Sequence, residues 1–220
     1  MIADRLHRVQ DRIAQAAERA GRRAEDVTLI AVSKTKPAED LLAAYRAGQR
    51  HFGENYIQEF ATKSAELRDM PDAVFHFIGK LQSNKTAAAA RFFHVIQTVA
   101  SMKVARRLEN AASPLDVFIE VKLSAEDTKG GLAEEHIGEL RDYIAQCKNL
   151  TPRGLMCMPP WFEDAEQTRP YFQRLRELAE KHQLRELSMG MSHDLEVAIA
   201  EGATMVRVGS AIFGERNYSK

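Results

Sequence analysis

The sequence predicts an α/β protein, a single (β/α)8 barrel preceded by one extra helix. Three observations lead there. Eight β-rich apolar segments alternate with helical ones along 220 residues, and strict alternation argues for a parallel sheet covered by helices. Eight units in this length suit a TIM barrel at the small end of its range. The first strand runs into "SKTKPAED", where an open doubly wound sheet would carry a glycine-rich turn.

The elements follow in order. Residues 2–20 read as an amphipathic helix, with Ile2, Leu6, Val9, Ile13 and Ala17 at three-to-four spacing and Gly21 as its stop. "VTLIAVS" (27–33) is continuously apolar, as a strand buried on both faces should be. A helix over 38–48 ends in Gly48. Strands at 50–54, 75–79 and 94–99 alternate with helices at 55–68, through the alanine run 87–90, and at 101–112. "LDVFIEVKL" (115–123) is a strand and 132–146 a helix. A strand at 152–158 precedes a helix at 164–183, and one at 186–190 precedes a helix at 192–201. "TMVRVGS" (204–210) closes the series. The chain reads as one domain, 1–220, with its barrel over 27–216.

Composition narrows the function. Hydrophobic residues make up 45% and charged residues 28%, with 31 basic against 31 acidic side chains. No basic excess marks a nucleic-acid or membrane partner. The N-terminus lacks the apolar core of a signal peptide, and no stretch approaches the ~18 apolar residues of a membrane span. Cys147 and Cys157 form neither a CxxC pair nor part of a His cluster, so no metal site is expected. Two free thiols suit a reducing, cytoplasmic setting.

In such a barrel the active site lies at the C-terminal strand ends. The polar residues there are Lys34 and Lys36, Glu54 and Asn55, His76 beside Gly79, Lys122 and Ser124, then Ser192, Arg207, Gly209 and Ser210. Ser192 stands where the helix at 192–201 would begin, and helix N-termini suit phosphate. Gly209 and Ser210 stand at the next strand end, and these two loops are the usual phosphate grip of the fold. Ser192 read alone is a helix cap. Lys34 and Lys36 share a strand face by alternation. Lys36 precedes Pro37 and should sit at the rim in water, whereas Lys34 lies one pleat deeper. A desolvated lysine keeps some neutral amine near pH 7, and a neutral amine forms a Schiff base with an aldehyde. Lysine, phosphate grip and barrel suggest pyridoxal 5′-phosphate (PLP) or the phosphorylated sugar of an aldolase. The structural alternative is a Lys34–Glu54 ion pair. His76 reads as a wall residue, and Met156 and Met158 as fillers beside a ring.

Six blocks carry a resemblance over most of the chain: "AVSKTKP" (31–37), "FGENYIQE" (52–59), "HFIGKLQSNK" (76–85), "GLMCM" (154–158), "SMGMSHDLEVAI" (188–199) and "MVRVGSAIFGER" (205–216). The sequence resembles the YggS/PROSC-type pyridoxal phosphate homeostasis proteins, which look like the barrel domain of alanine racemase. The resemblance implies that Lys34 carries PLP as a Schiff base and that Asn55 lies beside the cofactor. It implies that Ser192, Gly209 and Ser210 hold the phosphate and that Arg207 faces the pyridine nitrogen. It also implies a monomer acting in intracellular PLP supply without turnover of its own, with PLP-dependent apoenzymes as transient partners. His193 and Lys80 receive no role, and Lys129 in "TKGG" is expected in a solvated loop.

Two arguments fit that reading. PLP is an electron sink when its pyridine nitrogen is protonated, whereas arginine only donates. A ring nitrogen facing Arg207 must accept and stay unprotonated. The similar racemases take a second acid/base tyrosine from an additional domain, and the chain is expected to have none, ending at Lys220 after its eighth unit. Tyr56 is the one tyrosine expected near the mouth. The competing expectations are a weak PLP-dependent amino-acid racemase and a Schiff-base aldolase.

Overall fold

The computed structural model describes residues 1–111, 113–124 and 130–215. Eight parallel strands close into a barrel in sequence order. They are β1 (Thr28–Val32), β2 (His51–Glu54), β3 (Val74–Phe77), β4 (Val95–Val99), β5 (Leu115–Glu120), β6 (Leu150–Met156), β7 (Glu186–Met191) and β8 (Met205–Val208). Closure is made by β1 on β8, where Ile30 stands opposite Arg207. Helices α2 (Ala38–Arg46), α3 (Ile57–Lys63), α4 (Thr86–Phe92), α5 (Met102–Glu109), α6 (Ile137–Gln146), α7 (Arg169–Lys181) and α8 (Leu195–Ala200) follow the first seven strands.

The eighth helix, α9 (Ser210–Phe213), has four residues, too few to cover the seam where the barrel closes. The extra N-terminal helix α1 (Ile2–Arg19) packs on α2, α8 and α9 and buries Leu6, Val9, Ile13, Ala16 and Ala17 there. It supplies the apolar cover that α9 lacks.

Several elements are shorter than the sequence pattern suggests. The helix expected at 55–68 is α3 continued by a 3-10 turn, Ser64–Leu67. Those at 132–146 and 164–183 likewise open with 3-10 turns, Glu134–His136 and Ala165–Thr168, the tighter geometry common at helix ends. The strand expected over 115–123 stops at Glu120, leaving one bridge from Val121 to Leu132.

The core divides by polarity. Outside the barrel wall, Phe60 packs on Phe75 and Phe93 with ring centroids 4.7 and 5.0 Å apart. Inside, Val95, Phe118 and Met156 form a small apolar cluster, and polar side chains share the rest. His76 is 1% exposed, with His51 and Gln97 against its two ring nitrogens. Burial holds His76 well below the ordinary histidine value of 6.5.

That shift has a definite sign. Unfolded His76 takes up a proton near pH 6.5 and folded His76 does not, so its contribution is present above that pH and lost as pH falls below it. The stability advantage of wild type over His76→Gln should shrink by up to about 1.4 kcal/mol per pH unit on acidification below 6.5. Urea unfolding of both chains between about pH 7.5 and about pH 5.5, one unit either side of the histidine value, measures this, and a constant difference would contradict it.

Candidate functional site

A cavity of ≈ 250 Å³ opens at the C-terminal mouth. Lys34, Asn55, Ser192, Arg207, Gly209 and Ser210 all line it, with Val32, Lys36, Ile78, Met158, Met191 and Gly214. Residues from six strand ends, far apart in sequence, thus meet around one volume.

Strand β1 ends at Val32, so Lys34 and Lys36 lie in the turn beyond it and not on a shared strand face. Side chains of α3 and β2 shape that turn. Lys63 donates from Nζ to the carbonyls of Ser33 and Lys36, both at 3.1 Å. The same ammonium pairs with Glu54 Oε1 at 2.8 Å and Glu59 Oε1 at 2.9 Å. Glu59 Oε1 accepts the Thr35 N–H at 2.7 Å. Thr35 has φ +61°, a left-handed conformation costly for a β-branched residue. The Glu59 bond holds it there and so presents Lys34 to the cavity.

Glu54 is fully buried and also accepts from Ser33 Oγ at 2.7 Å. Burial raises its carboxyl above the ordinary range, while Lys63 pulls it down. The charge offered to Glu54 Oε1 therefore comes from Lys63, which sequence reasoning passed over. Its only signal is the i,i+4 spacing from Glu59, which usually marks a solvated helix face. Lys36 is half-buried and donates to the carbonyls of Phe213 at 3.1 Å and Glu215 at 2.9 Å. The expectation of a rim charge in water is corrected: Lys36 ties the chain after β8 to the turn after β1.

Asn55 lines the same cavity as Lys34, and Gly79 gives its backbone room. A Cβ on Gly79 would lie 2.2 Å from the Asn55 carbonyl oxygen. Asn55 Oδ1 is buried without a hydrogen-bond partner, a polar atom that a donor would satisfy.

Across the cavity, Ser192 is not at a helix start. It lies in the turn before α8, whose N-cap is Asp194, and Asp194 Oδ1 accepts the Met191 N–H at 2.6 Å. Arg12 of α1 pairs with Glu196 at 2.8 Å and donates to the Ser192 carbonyl at 3.0 Å, so the extra helix steadies this turn. Arg207 is buried and donates to Ser188 Oγ at 2.7 Å and to the Cys157 carbonyl at 3.0 Å. Burial pulls its guanidinium below the ordinary value, and Cys157, Asp194 and Glu120 pull it back up. Burial raises the Glu120 and Asp194 carboxyls and pushes the Cys157 thiol up to about 12. That thiol is inert at neutral pH.

Some expected residues lie elsewhere. Met156 packs inside the barrel with Val95 and Phe118; only Met158 of the pair reaches the cavity. His76, Lys122 and Ser124 do not line it, and Lys129 falls outside the described residues. Tyr56, Met158, Trp161 and Met191 are exposed, and Trp161 stacks on His193 at 6.0 Å. Among the described residues no group of three His, Cys, Asp or Glu side chains could hold a metal ion, and no helix is long and apolar enough to cross a membrane.

Known proteins resemble this chain in sequence and fold. Residues 5–217 match the family model described as alanine racemase, N-terminal domain. A pyridoxal phosphate homeostasis protein of Pseudomonas aeruginosa is 47% identical over 99% of this chain and 96% of its own length. One from Aquifex aeolicus is 43% identical over 98% of both. The structure of PipY from Synechococcus elongatus PCC7942 with PLP bound superposes with a TM-score of 0.85 at 38% identity, covering 97% of this chain and all of PipY. Alanine racemase of Corynebacterium glutamicum shares the fold, with a TM-score of 0.68 at 19% identity over 97% of this chain and 61% of the racemase.

Removing Lys63 tests the turn. Lys63→Met strands the fully buried Glu54 and two carbonyls, and breaking such a buried pair should cost about 3–5 kcal/mol. Urea denaturation measures the loss. Adding Glu54→Gln to it should recover part of the loss, and no recovery would rule out the stranded charge as its cause.

Proposed function

The chain belongs to the alanine racemase N-terminal domain family, among the pyridoxal phosphate homeostasis proteins, and from that premise we propose that it binds PLP at the C-terminal mouth as a Schiff base on Lys34. The observation that carries this reading is the convergence of Lys34, Asn55, Ser192, Arg207, Gly209 and Ser210 on one cavity. The PipY relative, whose structure holds PLP, supports it.

The residues suit the group. Ser192 and Ser210 offer hydroxyls and Gly209 leaves room beside them for a phosphate. The unpartnered Asn55 Oδ1 awaits a donor. Arg207, held by Ser188 and the Cys157 carbonyl, keeps further N–H groups for an acceptor. Bound PLP supplies an electron sink whose strength depends on a protonated ring nitrogen. Arg207 has no proton acceptor to offer and no lone pair, so it keeps that nitrogen unprotonated. The site thus stores the cofactor better than it uses it. We read the chain as one PLP-holding domain, cytoplasmic and monomeric, that supplies PLP to apoenzymes without turnover of its own.

Purified protein loaded with PLP should be yellow, and borohydride should fix a pyridoxyl group on Lys34. Lys34→Ala should lose the visible band and Lys36→Ala keep it; loss in Lys36→Ala alone would reverse the assignment. Amino acids incubated with the loaded chain in deuterated water should retain their α-protons. Exchange that depends on Lys34 would establish the racemase reading instead.

A further inference from the structure

A row of polar side chains crosses the barrel interior from one mouth to the other. Arg207 Nη1 donates to Ser188 Oγ at 2.7 Å, and Ser188 Oγ donates to Gln97 Oε1 at 2.7 Å. Gln97 Nε2 lies 3.0 Å from His76 Nδ1, and His76 Nε2 lies 2.9 Å from His51 Nδ1. Arg207, Ser188, Gln97 and His76 are all buried. The row begins at the cavity that Arg207 lines. It ends in a second cavity of ≈ 430 Å³ at the N-terminal mouth, lined by His51 and His76 among others.

The direction of the row is forced from the arginine end. A guanidinium only donates, so the Ser188 oxygen accepts and its single hydrogen goes to Gln97 Oε1. The Gln97 amide then turns its NH2 to His76, with Met205 Sδ at 3.6 Å from the same nitrogen. A flipped amide would set its oxygen against that sulfur. His76 Nδ1 therefore accepts, and the His76 proton sits on Nε2, where it is given to His51 Nδ1. His51 keeps its own proton on Nε2. One arrangement of protons satisfies every link.

We propose that Ser188, Gln97 and His76 are positioning residues for Arg207, and that through them Arg207 is coupled to the protonation of His51 at the opposite mouth. The part that concerns PLP rests on the reading of the C-terminal mouth given above. A charged His51 donates from both nitrogens and cannot accept from His76. The link must break, or the row must reverse: His76 moves its proton to Nδ1, Gln97 turns its oxygen to it, and Ser188 receives two donors. Reversal stops there, because Arg207 has no lone pair. Charging His51 is thus felt at the residue that holds Arg207.

Other charges face the same mouth. Asp26 lies before β1, Asp116 on β5, Arg153 on β6 and Glu186 on β7. Asp116 pairs with Arg153 at 3.0 Å and Asp26 with Arg23 at 2.8 Å. Arg50, next to His51, pairs with Asp72 at 2.6 Å. His94 is the other ring near His76, and its Nδ1 accepts the Phe75 N–H at 3.0 Å. Burial lowers His51 as well as His76, consistent with a row that favours neutral rings.

The cofactor-free full chain, labelled with ¹⁵N-histidine, gives the first test. Two-bond ¹H–¹⁵N spectra at neutral pH should show both His76 and His51 as Nε2–H tautomers. Gln97→Leu should free the His76 tautomer and raise the protonation constant of His51 about threefold. Wild-type His76 protonated on Nδ1 would overturn the row. The PLP-loaded chain gives the second. Its visible absorbance against pH should inflect where His51 titrates, and the inflection should vanish in Gln97→Leu and His51→Phe. An unchanged profile in both variants would overturn the coupling. A chain that takes up no PLP would refute the reading of the C-terminal mouth, and the tautomers and the His51 titration would still decide the row.

Discussion

One buried ammonium organises the mouth of this barrel. Lys63 stands between two carboxylates and two carbonyls, and three pieces of chain, the turn after β1, the end of β2 and α3, meet at its three protons. Desolvating such an ion costs several kcal/mol, which its partners roughly repay, so the pair adds little net stability. What it adds is definition. The turn after β1 adopts a left-handed threonine, and the Thr35 N–H bond to Glu59, itself held by Lys63, favours that conformation over a relaxed one. Lys34 takes its place at the cavity from this turn, Asn55 follows directly on Glu54, and Lys36 extends the same knot to the chain beyond β8.

The opposite wall solves a different problem. Arg207 is a permanent charge inside a barrel that would ordinarily fill with branched aliphatic side chains. Its compensation is spread out: a hydroxyl and a carbonyl in direct contact, and the raised carboxyls of Glu120 and Asp194 at longer range. Spreading the counter-charge leaves the guanidinium directional without tying up all its donors. The polar filling of the interior follows from this, since Ser188 needs an acceptor and Gln97 then needs one too.

Much of this was legible in the sequence, for a physical reason. Continuously apolar strands and amphipathic helices in alternation follow from burial, so the strand order, the closed barrel and the extra helix could be read directly. The rule that strand ends share one mouth then brought residues from Lys34 to Ser210 to a common place. Finer expectations failed where they assumed regular geometry. Pleat depth could not rank Lys34 against Lys36, because the strand stops at Val32. Ser192 sits in a turn, because the helix after it begins at Leu195. Lys63, Gln97 and Ser188 were missed altogether. A lysine spaced four from a glutamate looks like solvated surface, and a lone glutamine or serine in a strand carries no mark of what faces it. Burial of a polar group depends on tertiary partners that local patterns do not contain.

The strand order has a consequence for assembly. Lys34 and Asn55 belong to the first two strands, whereas Ser192, Gly209 and Ser210 come with the last two, and the helix that covers the closing seam is the first one made. A nascent chain therefore carries half a binding site until its final strands pair with its first. Contacts of such long sequence separation form late, so the two halves of the mouth meet only as the barrel shuts. Under the proposed reading, a ligand held at this mouth would report that the ring has closed in register, which no single strand pair or helix of the molecule could report.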